Sequence, residues 1–239
     1  MSLQPWRTGK VIRIENETDD TRRFWIEVPE LTSFNFSPGQ FVTLDLPIHE
    51  KPNKRWRSYS ISSWPDSTNV FELLIVLDKQ GAGTPYLFNE VNIGSELLFR
   101  GPQGVFILKE PLDTDQFMIC TGTGIAPFRS MIHYIKNEQV PHKNIYLIFG
   151  CRTRSAILYY NEFIELQKGV PGLHYIPTLS REQWDGYSGY VHPVYELLCK
   201  DKPAANFYLC GWKGMIDEAK RRIMEMGYDK KSIHIEIYG

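Results

Sequence analysis

Cysteine is scarce in this chain and follows no clustered pattern. The 239 residues include four cysteines, and no two of them form a C-x-x-C pair or the spacing of an iron–sulfur motif. Three of the four end apolar, strand-like runs, where small buried thiols are common. The pattern therefore predicts reduced cysteines and no bound metal. The cysteines are Cys120, Cys151, Cys199 and Cys210.

The sequence also lacks an excess of either charge and any long apolar run. Lysine and arginine number 27 against 28 aspartates and glutamates, so no basic field favours nucleic acid as a partner. No apolar stretch is long enough to span a membrane, and the N-terminus has no basic region followed by an apolar segment and a cleavage site. We therefore expect a soluble, cytoplasmic protein with no membrane partner, and its 42% hydrophobic content is enough for a substantial core.

The first half of the chain consists of short predicted strands separated by turn residues. One brief helical segment, residues 84–90, interrupts them. Regular short strands of this kind predict a small antiparallel β-barrel, which we place at residues 1–110. The strand candidates are residues 10–14, 21–28, 40–46, 57–63, 71–77 and 96–100.

After residue 115 predicted strands and helices alternate. This alternation predicts an α/β domain over residues 111–239, with a parallel sheet covered by helices on both faces. Ligands of such sheets bind at the carboxyl ends of the strands. The strand candidates are residues 117–120, 145–150, 174–179, 207–210 and 232–237, and the helix candidates are 128–136, 159–167, 190–198 and 214–226. Gly122, Gly150, Ser180 and Gly211 each follow a strand and are expected along this edge.

A glycine-rich loop, Gly122-Thr123-Gly124, connects one of these strands to a helix. Glycines let the backbone approach a ligand closely, and the free N–H groups at a helix start favour phosphate. The third glycine of the usual dinucleotide-binding fingerprint is missing, because Pro127 follows Ala126. The loop alone leaves two interpretations open, a diphosphate site and an ordinary strand-to-helix turn.

Two stretches of the barrel half could also bind an anion. In residues 57–60 (R-S-Y-S), Arg57 and Tyr59 lie on one face of a strand, where they could hold a diphosphate and cover a ring. Residues 81–84 (G-A-G-T) open the predicted helix, with Thr84 as the expected N-cap. An amphipathic barrel strand and a simply capped helix explain the two stretches equally well.

Polar and aromatic side chains follow other strand ends in the second half. Ser180 and Arg181 combine a hydroxyl with a guanidinium, which suits a phosphate monoester, and Tyr190 could stack on a purine. Arg152 and Arg154 follow another strand end. Solvated surface arginines are the alternative for each of these positions.

Together these segments resemble the ferredoxin–NADP reductase family, in the same order and across nearly the whole chain. Residues 57–60 resemble its R-x-Y-S motif, 81–84 its G-x-x-S/T motif, and 122–129 its G-T-G-I-A-P-F-R loop. Residues 180–183 are similar to its S-R-E-Q segment, 210–215 to its C-G-x-K-G-M segment, and 236–238 to its E-x-Y ending. The resemblance implies an FAD-binding barrel, an NADP(H)-binding second domain, and hydride transfer between nicotinamide and flavin.

The resemblance also implies roles for individual residues. Arg57 would pair with the FAD diphosphate, Tyr59 would pack on the isoalloxazine, and Ser60 would bond near flavin N5. The implied catalytic residues are Ser60, Cys210, Glu236 and Tyr238, with Tyr238 covering the flavin until nicotinamide displaces it. The implied cofactor-binding residues are Arg57, Ser58, Tyr59, Ser60, Ala82, Gly83, Thr84, Gly122, Thr123, Gly124, Arg152, Ser180, Arg181, Tyr190, Gly211 and Trp212. No metal is implied.

Two departures from the plant-type pattern bear on the nicotinamide cofactor. Ser188-Gly189 stand before Tyr190, where that pattern has a lysine, and residues 149–154 resemble the G-x-R form of oxygenase-type reductases, many of which prefer NADH. Ser180 and Arg181 still favour NADP(H), with NADH as the alternative. Gly239 follows Tyr238, so free movement of this tyrosine is expected.

We expect a monomer that exchanges single electrons with a separate ferredoxin or flavodoxin, because the chain lacks an iron–sulfur cysteine pattern of its own. An acidic carrier of this kind could dock on a basic set in the barrel half, and a solvated face is the alternative for that set. Other interpretations are an NADH-dependent reductase of an oxygenase, a flavin electron-transfer subunit of a larger complex, and a nucleotide-binding module without catalysis. Ser60, Cys210 and Glu236 argue against the last. The basic residues are Lys51, Lys54, Arg55, Lys79 and Arg100.

Overall fold

The computed structural model describes residues 4–238, which fall into two compact units. Of the described residues, the first unit contains 4–108 together with Arg129–Tyr134, and the second contains Lys109–Phe128 together with 135–238. Gly239 lies outside the described residues. The division into domains at residues 1–110 and 111–239 stays a prediction.

The first unit is a six-stranded antiparallel sheet in the order β4-β3-β6-β1-β2-β5. An antiparallel bridge between Ile61, just after β4, and Leu73, on β5, brings the two edge strands together. Large side chains such as Phe24, Phe71 and Phe99 fill the interior and are almost completely buried. The predicted antiparallel barrel is therefore confirmed. Its strands are β1 (Trp6–Asn16), β2 (Thr21–Glu27), β3 (Phe41–Asp45), β4 (Trp56–Ser60), β5 (Val70–Val76) and β6 (Glu96–Gln103).

Two short helices belong to the first unit, α1 (Pro52–Arg55) and α2 (Gly83–Asn89). The prediction missed α1, a single turn that starts at a proline, which suits the first helical position. The expected N-cap at Thr84 is wrong, because α2 already begins at Gly83. The Thr84 hydroxyl instead accepts a hydrogen bond from the Asp78 amide at 2.8 Å and donates one to the Asp78 carbonyl at 3.2 Å.

The second unit is a six-stranded parallel sheet in the order β10-β9-β8-β7-β11-β12. This confirms the predicted parallel α/β architecture. The strands are β7 (Asp115–Thr121), β8 (Ile145–Cys151), β9 (Leu173–Leu179), β10 (Tyr187–Ser188), β11 (Ala205–Trp212) and β12 (Ile233–Tyr238). The helices are α3 (Ala126–Asn137), α4 (Tyr160–Gly169), α5 (His192–Leu198) and α6 (Lys213–Glu225).

Helices pack on both faces of this sheet. On one face, Phe117 and Leu209 form a buried cluster with Tyr195 of α5 and Ile216 of α6. On the other face, Phe163 of α4 packs on Tyr175 of β9, with ring centroids 5.0 Å apart. Central parallel strands covered on both sides need apolar side chains in both directions, which explains their nearly continuous hydrophobic runs. Along residues 4–238, no helix combines the length and the apolar character that a membrane crossing requires.

A buried carboxylate, Glu72 on β5, organises charge inside the first unit. Glu72 is 2% exposed and Arg129 is 4% exposed. Arg23 donates to Glu72 through Nε at 2.8 Å and through Nη2 at 3.0 Å. Arg129 donates to Glu72 Oε2 at 3.0 Å and to the Ser62 carbonyl at 2.9 Å. These bonds compensate the cost of removing the three charges from water.

We expect Glu72→Ala to lower the free energy of unfolding by about 3–5 kcal/mol, because it leaves the buried Arg129 guanidinium without its counter-charge. Urea titration followed by tryptophan fluorescence measures this change. The matched control is Glu165→Ala, at an exposed carboxylate on α4, which should change stability by less than about 0.5 kcal/mol. If Glu72→Ala lowered the free energy of unfolding by less than about 1 kcal/mol, Arg129 would have adequate partners without the carboxylate.

Candidate active site

The glycine-rich loop lies directly after β7. Residues Gly122–Ile125 form a 3-10 turn, and α3 begins at Ala126. The prediction placed a simple turn before the helix and missed this 3-10 segment. Space beside Gly122 is open, since a Cβ added there would meet no atom within 4 Å. A ligand could therefore approach the backbone at this point.

The loop packs closely against β11. A Cβ at Gly124 would lie 2.5 Å from the Cys210 carbonyl oxygen, and a Cβ at Gly211 would lie 2.6 Å from the Thr121 hydroxyl. Both positions therefore require glycine on steric grounds. The Trp212 amide lies 3.5 Å from the same hydroxyl, and the Trp212 side chain is 71% exposed. Thr121 is a site residue that the prediction missed, although it ends the strand before the loop.

The predicted strand-end residues meet along one edge of the second-unit sheet. Ser180 follows β9 and Gly122 follows β7, as predicted, whereas Gly150 and Gly211 do not follow their strands but are the second-to-last residues of β8 and β11. These four strands are neighbours in the order β9-β8-β7-β11. The structure therefore brings together the residues that the sequence placed at the carboxyl ends of the strands.

A cavity of about 380 Å³ opens where β9 ends. Ser180 donates its hydroxyl to the Cys151 carbonyl at 3.2 Å, and Arg181 is exposed. Tyr190 follows this segment and is 73% exposed, which leaves its ring free to stack on a flat ligand. One cation and several hydroxyl or amide groups suit an anionic nucleotide. The cavity is lined by Leu179, Ser180, Arg181, Glu182, Gln183, Ser188 and Gly189.

Burial sets the protonation state of two thiols near this edge. It raises the pKa of the Cys151 thiol to about 12, and the Glu182 carboxylate adds to the rise. Burial also raises the pKa of the Cys210 thiol well above its ordinary value, with a further contribution from the Glu236 carboxylate. Both groups are therefore protonated thiols at neutral pH, and all four cysteines are free. Neither thiol is a nucleophile in this environment.

Cys210 and Glu236 form a polar pair at the end of the sheet. They are register partners on β11 and β12, and the Cys210 thiol donates to Glu236 Oε2 across 3.8 Å. Tyr238 lies near the Cys210 thiol and lowers its pKa, and it lies on the same face of β12 as Glu236 because side chains alternate along a strand. The three predicted residues Cys210, Glu236 and Tyr238 thus lie together.

His234 shares this face of β12, and the prediction missed it. Its ring packs on Tyr208 with centroids 4.6 Å apart. Burial lowers the His234 pKa, and Lys109 lowers it further, so the imidazole is neutral at pH 7. The period-two spacing of His234, Glu236 and Tyr238 was the signal that could have identified it.

In the first unit, Arg57 contacts the start of α2. Its guanidinium donates to the carbonyl oxygens of Trp56 at 2.8 Å and Lys54 at 3.1 Å. A Cβ added at Gly83 would lie 3.0 Å from Arg57 Nε. A cation beside the first amides of α2 is a donor set that suits a diphosphate.

The remaining residues of the R-S-Y-S segment differ in exposure. Burial raises the pKa of Tyr59, while the nearby Arg57 lowers it, so the phenol stays protonated. Ser58 is exposed and lies 3.0 Å from the Thr43 hydroxyl, and Ser60 is buried. Tyr59 also packs against the barrel core, which gives the ring a fixed position.

The basic set predicted in the barrel half is smaller than expected. Arg55 donates to Asp45 at 2.7 Å. Arg100 stacks on Trp6 and Trp56, with its guanidinium carbon 5.0 and 4.6 Å from the two ring centroids. These partners engage both guanidinium groups in local contacts. The exposed cations of the set are Lys51, Lys54 and Lys79.

Two known domain families match the two units. The oxidoreductase FAD-binding domain matches residues 8–107, and the oxidoreductase NAD-binding domain matches residues 118–221. The expected flavin and nicotinamide cofactors are therefore confirmed at the level of the two domains.

Curated relatives extend over the whole chain. Ferredoxin–NADP reductase B of Sorangium cellulosum is 32% identical in an alignment 240 positions long. This alignment covers 96% of each of the two chains. The glycine betaine monooxygenase reductase subunit of Chromohalobacter salexigens is 28% identical in an alignment 250 positions long, which covers 100% of this chain and 67% of that protein.

A solved structure supports the same fold. The ferredoxin NADP+ reductase of Neisseria gonorrhoeae, solved with bound FAD and NADP, superposes with a TM-score of 0.82 at 24% identity. The match covers 97% of this chain and 98% of that one. The predicted family is confirmed by the full-length relative and the two domains together. The chain belongs to the ferredoxin–NADP reductase family of flavin- and nicotinamide-dependent oxidoreductases.

Proposed function

We propose that this oxidoreductase uses NADPH and exchanges single electrons with a separate ferredoxin or flavodoxin. The observation that carries the proposal is the match to a ferredoxin–NADP reductase, at 32% identity over 96% of both chains. The Ser180 and Arg181 pair at the β9 edge supports the choice of NADPH, since a hydroxyl and a guanidinium suit a phosphate monoester.

The proposal assigns FAD to residues 1–110 and NADP(H) to residues 111–239. Arg57, Gly83 and Thr84 would hold the FAD diphosphate, and the packed Tyr59 ring would lie against the isoalloxazine. The open backbone at Gly122, the Ser180 and Arg181 pair, and Tyr190 would hold the nicotinamide nucleotide. Arg152, Gly211 and Trp212 would complete the nucleotide site.

The two cofactors, when bound, supply the hydride and single-electron chemistry. The contribution of this chain is to position the reacting rings and to hold protons at defined atoms. Cys210 presents a protonated thiol because burial and Glu236 both raise its pKa. Glu236 accepts from this thiol at 3.8 Å, and under the proposal its carboxylate would hold a proton that arrives at the site. Ser60 offers a buried hydroxyl in the barrel half.

A second candidate function is the NADH-dependent reductase component of an oxygenase. The whole-chain match to a glycine betaine monooxygenase reductase subunit favours it. The absence of a lysine before Tyr190 also favours it, because Ser188 and Gly189 occupy those positions. A flavin electron-transfer subunit of a larger complex is a third candidate.

Anaerobic titration of the FAD-loaded protein with NADPH and NADH, followed by flavin absorbance, separates these candidates. We expect rapid bleaching by NADPH at far lower concentration than by NADH. Bleaching by NADH alone would favour the oxygenase-reductase function. Failure to hold flavin, or failure of either nucleotide to bleach it, would contradict an enzymatic role.

Arg181→Ala should raise the KM for NADPH by about 10- to 100-fold, because a charge-assisted bond to phosphate is lost. The KM for NADH and both kcat values should change by less than about twofold, since NADH carries no 2′-phosphate. Steady-state rates with an artificial one-electron acceptor measure both constants. An equal rise in the KM values for NADPH and NADH would show that Arg181 does not bind the 2′-phosphate.

Glu236→Gln should lower kcat by about tenfold or more and shift the acidic limb of its pH profile, because the amide cannot hold a proton. The KM for NADPH should change little. Glu225→Gln, at an exposed carboxylate of α6 that pairs with Arg221, is the matched control. Unchanged turnover together with an unchanged pH profile would count against a proton role for Glu236.

A further inference from the structure

We propose that Glu182 is a positioning residue that fixes the two strand-end loops of the nucleotide cavity and thereby sets affinity for NADPH. This proposal rests on the proposed function for the identity of the nucleotide. Glu182 lines the cavity beside Ser180 and Arg181, is half-buried, and has no role in the assignments above.

The side chain of Glu182 bonds to the neighbouring strand-end loop. Its Oε2 accepts from the backbone amide of Arg154 at 2.7 Å. Arg154 opens a 3-10 turn, Arg154–Ala156, whose N-cap Thr153 provides no side-chain cap. The first amides of a helical turn have no partner within the turn. Glu182 therefore supplies, from another loop, the acceptor that a local cap would supply.

Backbone bonds alone hold the two loops only near the strands. The Ser180 amide donates to the Cys151 carbonyl at 3.0 Å, and the Arg181 amide donates to the Arg152 carbonyl at 2.9 Å. These two bonds continue the β8–β9 ladder beyond the strand ends. The Glu182 bond to Arg154 is the next connection outward, and it joins side chain to backbone. Removing it would leave the outer parts of both loops less restrained.

Both loops carry residues of the proposed phosphate site. Arg152 lies on one loop, and Ser180 with Arg181 lies on the other. A guanidinium recognises phosphate through directed hydrogen bonds, so small displacements of the loop weaken binding. The partner of Glu182 is a backbone amide, so the contact requires an acceptor oxygen but no negative charge. A glutamine can supply that oxygen with the same chain length.

The test compares Glu182→Ala with Glu182→Gln in the FAD-loaded enzyme. We expect Glu182→Ala to raise the KM for NADPH by about 5- to 20-fold with kcat within about twofold, because the cap is lost and the loops loosen. Glu182→Gln should stay within about threefold of the parent for both constants. Glu165→Ala is the control for a lost exposed carboxylate.

A direct binding measurement separates this proposal from the proposed function. Calorimetric titration with 2′,5′-ADP and with 5′-AMP reports on the nucleotide site without any redox step. We expect Glu182→Ala to weaken 2′,5′-ADP binding and Glu182→Gln to preserve it, even if neither nicotinamide nucleotide reduces the parent flavin. Two results would overturn the proposal: equal losses in both variants, or tighter NADPH binding in either variant, which would mean that the carboxylate acts by repelling phosphate.

Discussion

Close packing of the loop after β7 against β11 is the constraint on which the nucleotide edge depends. A Cβ added at Gly124 would lie 2.5 Å from the Cys210 carbonyl oxygen, and a Cβ added at Gly211 would lie 2.6 Å from the Thr121 hydroxyl. A side chain at either position would push the loop away from the strand. Because these positions carry none, the loop packs closely on β11, next to the strand pairing that joins β7 and β11 as far as Cys120 and Cys210.

The polar groups of the site depend on this arrangement and on burial. Cys210 provides the carbonyl that Gly124 approaches, and its thiol faces Glu236 on the next strand. Burial keeps that thiol protonated, so it serves as a donor and not as a nucleophile. In the first unit, burial also makes a polar contact necessary. Glu72 accepts hydrogen bonds from Arg23 and Arg129, and these bonds offset the cost of removing the charges from water.

Much of this arrangement could be predicted from the sequence. Apolar runs separated by turn residues predicted all the longer strands, and their alternation with helical segments predicted the parallel sheet. Both patterns can be recognised because they result from which side chains are buried. Ser180, Gly122 and Gly211 could be placed on one edge because the carboxyl ends of parallel strands meet there. The motif resemblance then connected these positions with FAD and a nicotinamide nucleotide.

The features that were missed depend on contacts between distant residues. Thr84 was predicted as a cap from its local sequence, but its hydroxyl bonds to Asp78 six residues earlier. Arg100 was predicted to be a surface cation, but its guanidinium stacks on the rings of Trp6 and Trp56, which are distant in sequence. Glu182 and Arg154 are 28 residues apart, and only the adjacency of β8 and β9 brings them into contact. No local pattern encodes such pairs.

Under the proposed function, nicotinamide passes a hydride directly to a flavin held by this chain. Stopped-flow reduction of the FAD-loaded protein, with NADPH deuterated at each C4 position in turn, tests it most directly. We expect slower flavin bleaching with one of the two deuterated forms and with that form alone, since positioned rings select one hydrogen. Equal rates with both forms, under conditions where bleaching limits the signal, would contradict it.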